Sequence, residues 1–323
     1  MFSNLTISVE HADILDFTCD VLILKYAQAF YGADALVAQV LQKKSKISRL
    51  QPGEHLYFPS MNKLRPKKIL FVGVVPLYQF AYDEIREFST YSLKVLGDFS
   101  GTEHIAMTVH GVDYGLDEQE AFLSQLAGLL DATSSDLAPS ELKRITIVEK
   151  NQRRADRLRE ILKKNLQREQ IIEGGLETTR AGSWSGIETA GLNSNEKPLV
   201  FVAMPFSEEM EDVYRYGIES PVKAAGYLCE RMDMTRFMGD ILARIKSRIE
   251  AASLVVADLT GSNPNVYLEV GYAWGKDRPT LLLTKKGDEL KFDMRGQRCI
   301  EYSSIRDLEK KLMADLAVLT AWR

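Results

Sequence analysis

Short apolar runs alternate with longer amphipathic patterns along this chain, and no other feature restricts its fold as strongly. Runs at 5–9, 21–24, 69–74, 105–109 and 145–148 have strand length, and helical patterns occupy 34–44, 83–96, 117–130 and 151–166. Such alternation predicts a parallel or mixed sheet covered by helices, since consecutive parallel strands need a crossover between them. The pattern stops at 173–197, a stretch rich in Gly, Ser, Thr, Asn and Glu that reads as a linker. Trp184 and Ile187 interrupt it, and Trp184 either docks on a domain or stays exposed. The alternation then restarts, with strands expected at 199–204, 227–231, 254–257, 280–283 and 299–302. Helices are expected at 208–225, 239–251, 264–274 and 305–319. The 199–204 run is apolar at every position, as a strand covered on both faces requires. The chain therefore reads as α/β, with two α/β/α domains. A mixed-sheet domain spans 1–168, a linker 169–197, and a flavodoxin-like domain with a parallel five-stranded sheet 198–323.

Composition narrows the partners. The 323 residues include 41 Lys and Arg against 45 Asp and Glu, a net charge of −4, so no global basic field exists to hold a polyanion. Nucleic acid is not the expected partner. One helical stretch does concentrate cations, at Arg153, Arg154, Arg157, Arg159, Lys163, Lys164 and Arg168. It is read as a solvated face, the alternative being a patch for an anionic partner. Cys19, Cys229 and Cys299 are odd in number and far apart, which fits reduced, buried thiols in a cytoplasmic protein better than disulfides or a zinc site. Acidic residues within the first twenty positions argue against a signal peptide, and the longest apolar stretches reach about half the length of a membrane span, so no membrane association is expected.

The segment from Asp258 to Trp274 carries the most chemistry. A strand ends at Ala257, a turn runs through Gly261, Asn263 is a good N-cap, and Pro264 suits the first helical position. Glu269 then falls in the second turn, too deep to serve the helix dipole. Its neighbours Val266, Tyr267, Leu268, Val270, Tyr272, Ala273 and Trp274 make the helix apolar on nearly every side. A carboxylate there costs several kcal/mol unless it is paired or opens onto a cleft. Two readings stand: a perturbed carboxylate facing the crevice at the strand ends, or a Glu paired structurally with Lys or Arg. Asp258 lies at the same edge, as a catalytic group or as the cap of a turn. Met204, Pro205 and Phe206 end the first strand of this domain, where backbone amides and a ring suit a base or sugar. Asp233, just past the second strand, is a candidate acceptor for ribose hydroxyls.

The chain lacks a Gly-rich dinucleotide fingerprint, a phosphate-binding Gly-Lys-Ser/Thr loop and a His/Cys metal cluster, so neither a metal nor a bound cofactor is expected. All four histidines, His11, His55, His104 and His110, precede the linker. What is left for a lone buried carboxylate is attack on, or stabilisation of, a sugar carbon with oxocarbenium character.

Three stretches of the C-terminal domain, 201–206 (FVAMPF), 249–258 (IEAASLVVAD) and 263–273 (NPNVYLEVGYA), resemble the nucleoside 2-deoxyribosyltransferase-like family, which is close to TIR-type NAD glycohydrolase domains. The resemblance implies that Glu269 is the nucleophile, that Asn263 stands at or near a family Asp contacting the deoxyribose, and that Asn265 and Tyr267 border the substrate. That Asn in place of Asp favours hydrolysis of a ribosidic bond, including that of NAD as a substrate, over deoxyribosyl transfer. The N-terminal domain resembles a macro domain more distantly. Asp13 and Ile14 match that family's Gly-Asp-Ile segment, implying an adenine contact for Asp13. Gly32 stands where the first phosphate loop is expected, and Gly111 and Gly115 where the second is, with fewer glycines than the family carries.

These observations predict an N-glycosidase that cleaves the base–ribose bond of a small nucleotide. By its resemblance to bacterial antiphage effectors it is expected to answer a nucleotide signal and to form a homo-oligomer. The alternative is a non-enzymatic module that senses an ADP-ribose-like ligand.

Overall fold

The computed structural model describes residues 5–165, 187–232, 241–288 and 296–321. The chain divides into two compact units, Met1–Val112 with Glu118–Asn195, and Asp113–Asp117 with Glu196–Arg323.

The first unit holds β1 (Thr6–His11), β2 (Val21–Tyr26), α1 (Gly32–Val40), α2 (Lys44–Ile47), β3 (His55–Pro59), β4 (Lys68–Gly73), α3 (Tyr82–Gly97), β5 (His104–Met107), α4 (Glu118–Ser134), β6 (Arg144–Glu149) and α5 (Gln152–Asn165). Its six strands run in the order β1-β6-β5-β2-β4-β3. All neighbours are parallel except β3, which runs antiparallel to β4. The sheet is thus mixed, as the sequence pattern predicts. The central β2 is buried at all six positions. The edge strand β3 has no counterpart among the expected strands: its residues are half-buried or exposed and it ends at Pro59, so it lacks an unbroken apolar run.

Several arginines of α5 turn inward to carboxylates. Arg157 holds both oxygens of Glu118 at 2.6 and 2.7 Å, and Arg154 reaches Glu149 at 3.3 Å. Arg159 donates to the carbonyl of Val9 and to Asp156. Much of this cationic run therefore ties the helix to its own unit.

Residues 187–195, in the stretch read as a linker, pack on the first unit. Ile187, Ala190 and Ser194 are buried. Arg86 donates to the carbonyls of Glu188 and Ala190, and the Ser194 hydroxyl donates to Glu120. Trp184 lies outside the described residues.

The second unit holds β7 (Leu199–Ala203), α6 (Glu208–Asp212), α7 (Ser220–Ala224), β8 (Leu228–Arg231), α8 (Ile241–Ala251), β9 (Leu254–Asp258), α9 (Pro264–Gly275), β10 (Thr280–Lys285), β11 (Cys299–Tyr302) and α10 (Ile305–Ala321). Its strands are all parallel in the order β11-β10-β9-β7-β8, the flavodoxin-like order read from the other edge. Val200, Val202, Cys229, Leu254, Val256 and Leu283 pack with Tyr214, Ile218 and Val222 and with Leu308, Leu312 and Leu316 of α10. Helices α8 and α9 pack on each other and on β7 and β9.

The single helix expected at 208–225 is interrupted. A π-helical segment, Val213–Glu219, joins α6 to α7. Pro221 has no N–H to return to the preceding turn, and its ring would strike the carbonyl four residues back, which the widened turn avoids. Gly217 in that segment lets α10 close in: a Cβ there would stand 2.7 Å from Leu308 Cδ2.

Candidate active site

The carboxyl edge of the second sheet is built from the ends of β7 and β9. Ala203 lies beside Ala257 in register. After β7 the chain moves to one side, to β8, and then to the other, to β9, so the topological switch point falls between these two strands. Ligands of open α/β sheets bind in the crevice there.

The turn after β9 follows its residue chemistry. Asp258 Oδ1 accepts the N–H of Thr260 at 3.0 Å, and Gly261 takes φ +72°. Asn263 then caps α9, its Oδ1 accepting the N–H of Asn265 at 2.9 Å, with Pro264 in the first turn. Asn263 and Asn265 are thereby tied to each other at the helix start, and both are half-buried.

Glu269 is 6% exposed and has no hydrogen-bond or ion-pair partner among the described residues. Burial alone pushes its carboxyl up to about 8. The structural pairing with Lys or Arg that its sequence context allowed is not seen among the described residues. Tyr267, two residues earlier and so on a different face of α9, buries a hydroxyl that has no partner among the described residues.

Asp258 is fully buried and its second oxygen is also engaged, accepting the Tyr302 hydroxyl at 2.9 Å. Burial raises its pKa, against the pull of Thr260 and Tyr302. Both lone-pair faces serve the turn, so Asp258 braces the loop that leads into α9.

Met204 is buried, Pro205 half-buried, and Phe206 is 37% exposed. The guanidinium of Arg231 lies 4.4 Å from the Phe206 ring centroid and 3.8 Å from that of Tyr214. Arg231 also pairs with Glu211 at 2.6 Å, and Arg215 reaches the other Glu211 oxygen at 2.9 Å. Burial alone would raise Glu211, yet the two arginines hold it at about 2. Arg231 thus braces the candidate base platform, a role the sequence pattern leaves unread because its partners, all within 206–214, are separated from it by the rest of the crossover between β7 and β8. Asp233 lies outside the described residues.

In the first unit, Asp13 Oδ1 accepts the N–H of Leu15 and its Oδ2 pairs with the exposed Lys150, both at 3.0 Å, and its pKa is lowered by these two bonds in that order. Ile14 is buried. Gly32, at φ +46°, would place a Cβ in open space. Gly111 takes φ +85° and is buried. The preceding residue, His110, is buried with both ring nitrogens unpartnered among the described residues, and burial, aided by the charge of Lys25, keeps it neutral. Gly115 groups with the second unit, where a Cβ would stand 2.2 Å from Met232 Cγ and 3.1 Å from the Arg231 carbonyl. That space is occupied, so Gly115 is a packing glycine. Two residues on, Asp117 accepts the N–H of Cys229 and pairs with Lys223, each at 3.1 Å.

Among the described residues no group of three or more His, Cys, Asp or Glu is placed to hold a metal, and no helix is long and apolar enough to cross a membrane. Cys19 and Cys229 are buried, whereas Cys299 is only half-buried, and all three are free thiols.

No family model matches the chain, and no curated protein matches it. Solved structures do, over the N-terminal half. The Oceanobacillus iheyensis macrodomain with ADP gives a TM-score of 0.41 at 16% identity, covering 50% of this chain and 92% of that one. The Trypanosoma brucei macrodomain in complex with ADP-ribose gives 0.41 at 15% identity, covering 49% and 69%.

Proposed function

We propose that the second unit cleaves the N-glycosidic bond of a nucleotide, with Glu269 as nucleophile. The observation that carries this reading is a buried carboxylate with no counter-charge among the described residues, on the helix that leaves the switch-point strand. Its high pKa favours a substrate whose glycosidic nitrogen is positively charged, such as the nicotinamide riboside of NAD. A cation beside Glu269 restores its ionised form. The carboxylate then bonds to C1′ while the C1′–N electron pair passes to the base and neutralises it. Water hydrolyses the glycosyl ester, its oxygen and one hydrogen becoming the C1′ hydroxyl of the ribosyl product and its other hydrogen leaving Glu269 protonated. Phe206, held by Arg231, is the platform for the base. The sequence motifs in 201–206, 249–258 and 263–273 support the same reading. Control by a nucleotide-derived signal and assembly into a homo-oligomer, as in antiphage effectors, rest on sequence resemblance alone.

The test is incubation of the purified chain with NAD and with nucleosides, alone and with candidate signal nucleotides. Free base should appear with wild type and vanish with Glu269→Gln. Equal traces from both under every condition abandon the proposal.

A second reading, binding of an ADP-ribose-like ligand by the first unit, is favoured by the open space at Gly32 and by the left-handed backbone at Gly111. Calorimetric heat that survives Glu269→Gln and disappears with Asp13→Ala would place binding there.

A further inference from the structure

A cleft of about 500 Å³ lies at the β3 edge of the first sheet, the edge opposite β1 and its neighbour Asp13. Its volume falls within the range of small-ligand sites, roughly 300–1,000 Å³. It is lined by Lys46 of α2, Arg49 just after it, His55 and Tyr91, with Leu50 and Leu56 as its apolar lining.

The charge of this region stands apart from that of the chain. Residues 43–49 read KKSKISR, four cations with no acid between them, in a protein of net charge −4. Two of the four have ring partners: Lys43 over Phe58 at 5.8 Å and Lys44 over Phe30 at 5.9 Å. Lys46 and Arg49, the two at the cleft, have no carboxylate partner among the described residues. Glu54, also at the wall, accepts the N–H of Gln51 at 2.9 Å. His55 Nδ1 is bonded to the Tyr91 hydroxyl at 3.0 Å, which orients the ring and leaves Nε2 available to a ligand.

We infer that this cleft binds a small phosphomonoester. Lys46 and Arg49 outnumber the one acid at the wall, Glu54, which leaves the cleft net positive and suited to an anionic group, and the Arg49 fork matches phosphate oxygens bidentately. His55 Nε2 adds a third donor, while Leu50, Leu56 and the Tyr91 ring receive the organic part. The site shares no residue with the Glu269 crevice, so it stands or falls apart from the glycosidase reading.

The test uses the full chain and proton NMR of the imidazoles. The sequence has four histidines, so His55→Gln assigns the His55 resonance. Phenyl phosphate is expected to shift that resonance saturably and inorganic phosphate to shift it too, whereas phenol leaves it in place. Arg49→Gln and Lys46→Gln change exposed side chains and should fold normally, each weakening phenyl phosphate binding about tenfold. A His55 resonance that stays fixed at millimolar phenyl phosphate overturns the inference. So does undiminished binding in both variants, or an equal shift with phenol.

Discussion

The Tyr302 hydroxyl donates to Asp258 Oδ2 across 2.9 Å, joining the last residue of the edge strand β11 to the last residue of β9 two strands away. The same hydroxyl lies 3.3 Å from Thr260 Oγ1, which in turn accepts the N–H of Lys285. One buried phenol therefore organises the carboxyl ends of three strands and the turn that leads to Glu269. Tyr302→Phe keeps the ring and removes the bond, leaving a buried carboxyl oxygen unsatisfied at a cost of about 1–3 kcal/mol. The melting temperature of the second unit should fall accordingly. Base release should fall less than with Glu269→Gln, because the phenol acts on the loop and not on the sugar. A variant as stable as wild type would show that the turn does not depend on this bond.

Glu269 makes stability and activity respond to pH in opposite directions. Its carboxyl is raised by burial from 4.5 to about 8, so between these values the folded chain holds a proton that the unfolded chain has lost. Stability from this group is complete below pH 4.5 and is lost as pH rises through 8. Glu269→Gln should therefore stabilise the protein most at pH 8.5 and little at pH 5, read as the difference in melting temperature across that range. The nucleophile must be ionised, so kcat/KM for NAD should climb through a pKa near 8. A flat profile over that interval contradicts the assignment of Glu269 as nucleophile.

The frame of this site was legible because its signals are local. An unbroken apolar run marks β7, and Asn263-Pro264 marks the start of α9 through one capping bond. Glu269 stood out because an acid in an oily helix violates its surroundings. The Asp258 reading divided between catalysis and turn capping, and the partner that occupies its second oxygen lies 44 residues away. Arg231 went unread for the same reason: Phe206, Glu211 and Tyr214 lie at the start of the crossover from β7 to β8, and they meet it only once those two strands pair. Edge strand β3 was missed because half-buried or exposed residues ending in proline do not look like a strand. In 187–195 the buried Ile187 and Ala190 were outweighed by polar neighbours, although spaced apolar anchors in a polar stretch are the mark of a docked segment.

Arg231 separates platform geometry from charge. Arg231→Lys keeps a cation for Glu211 but loses the flat guanidinium that stacks between Phe206 and Tyr214. The expected result is a raised KM with kcat nearly unchanged, since base binding loosens while Glu269 is untouched. Arg231→Leu also removes the charge that holds Glu211 near 2. Its destabilisation should be full above pH 4.5 and shrink as pH falls toward 2, where the wild-type pair itself is lost by protonation. A pH-independent loss in Arg231→Leu would mean that packing, not the ion pair, dominates.

Lys25 and Asp34 form a buried ion pair in the first unit, 3.1 Å apart with both side chains almost wholly enclosed. Lys25 is the penultimate residue of the fully buried β2 and Asp34 lies in the first turn of α1, so the pair locks the start of that helix to the central strand. Burial raises the Asp34 pKa and Lys25 opposes that rise, which is the signature of a charge kept in the interior by its partner. Asp34→Leu removes the negative charge beside a buried ammonium and should destabilise the unit by about 3–5 kcal/mol. Lys25→Met alone should be similarly damaging. The double variant Lys25→Met/Asp34→Leu removes both charges and keeps the volume apolar, and it should recover most of that loss. Chemical unfolding followed by circular dichroism on all four proteins closes the cycle. Additive losses in the double variant would show that each residue acts through other contacts and that the pair is not the lock.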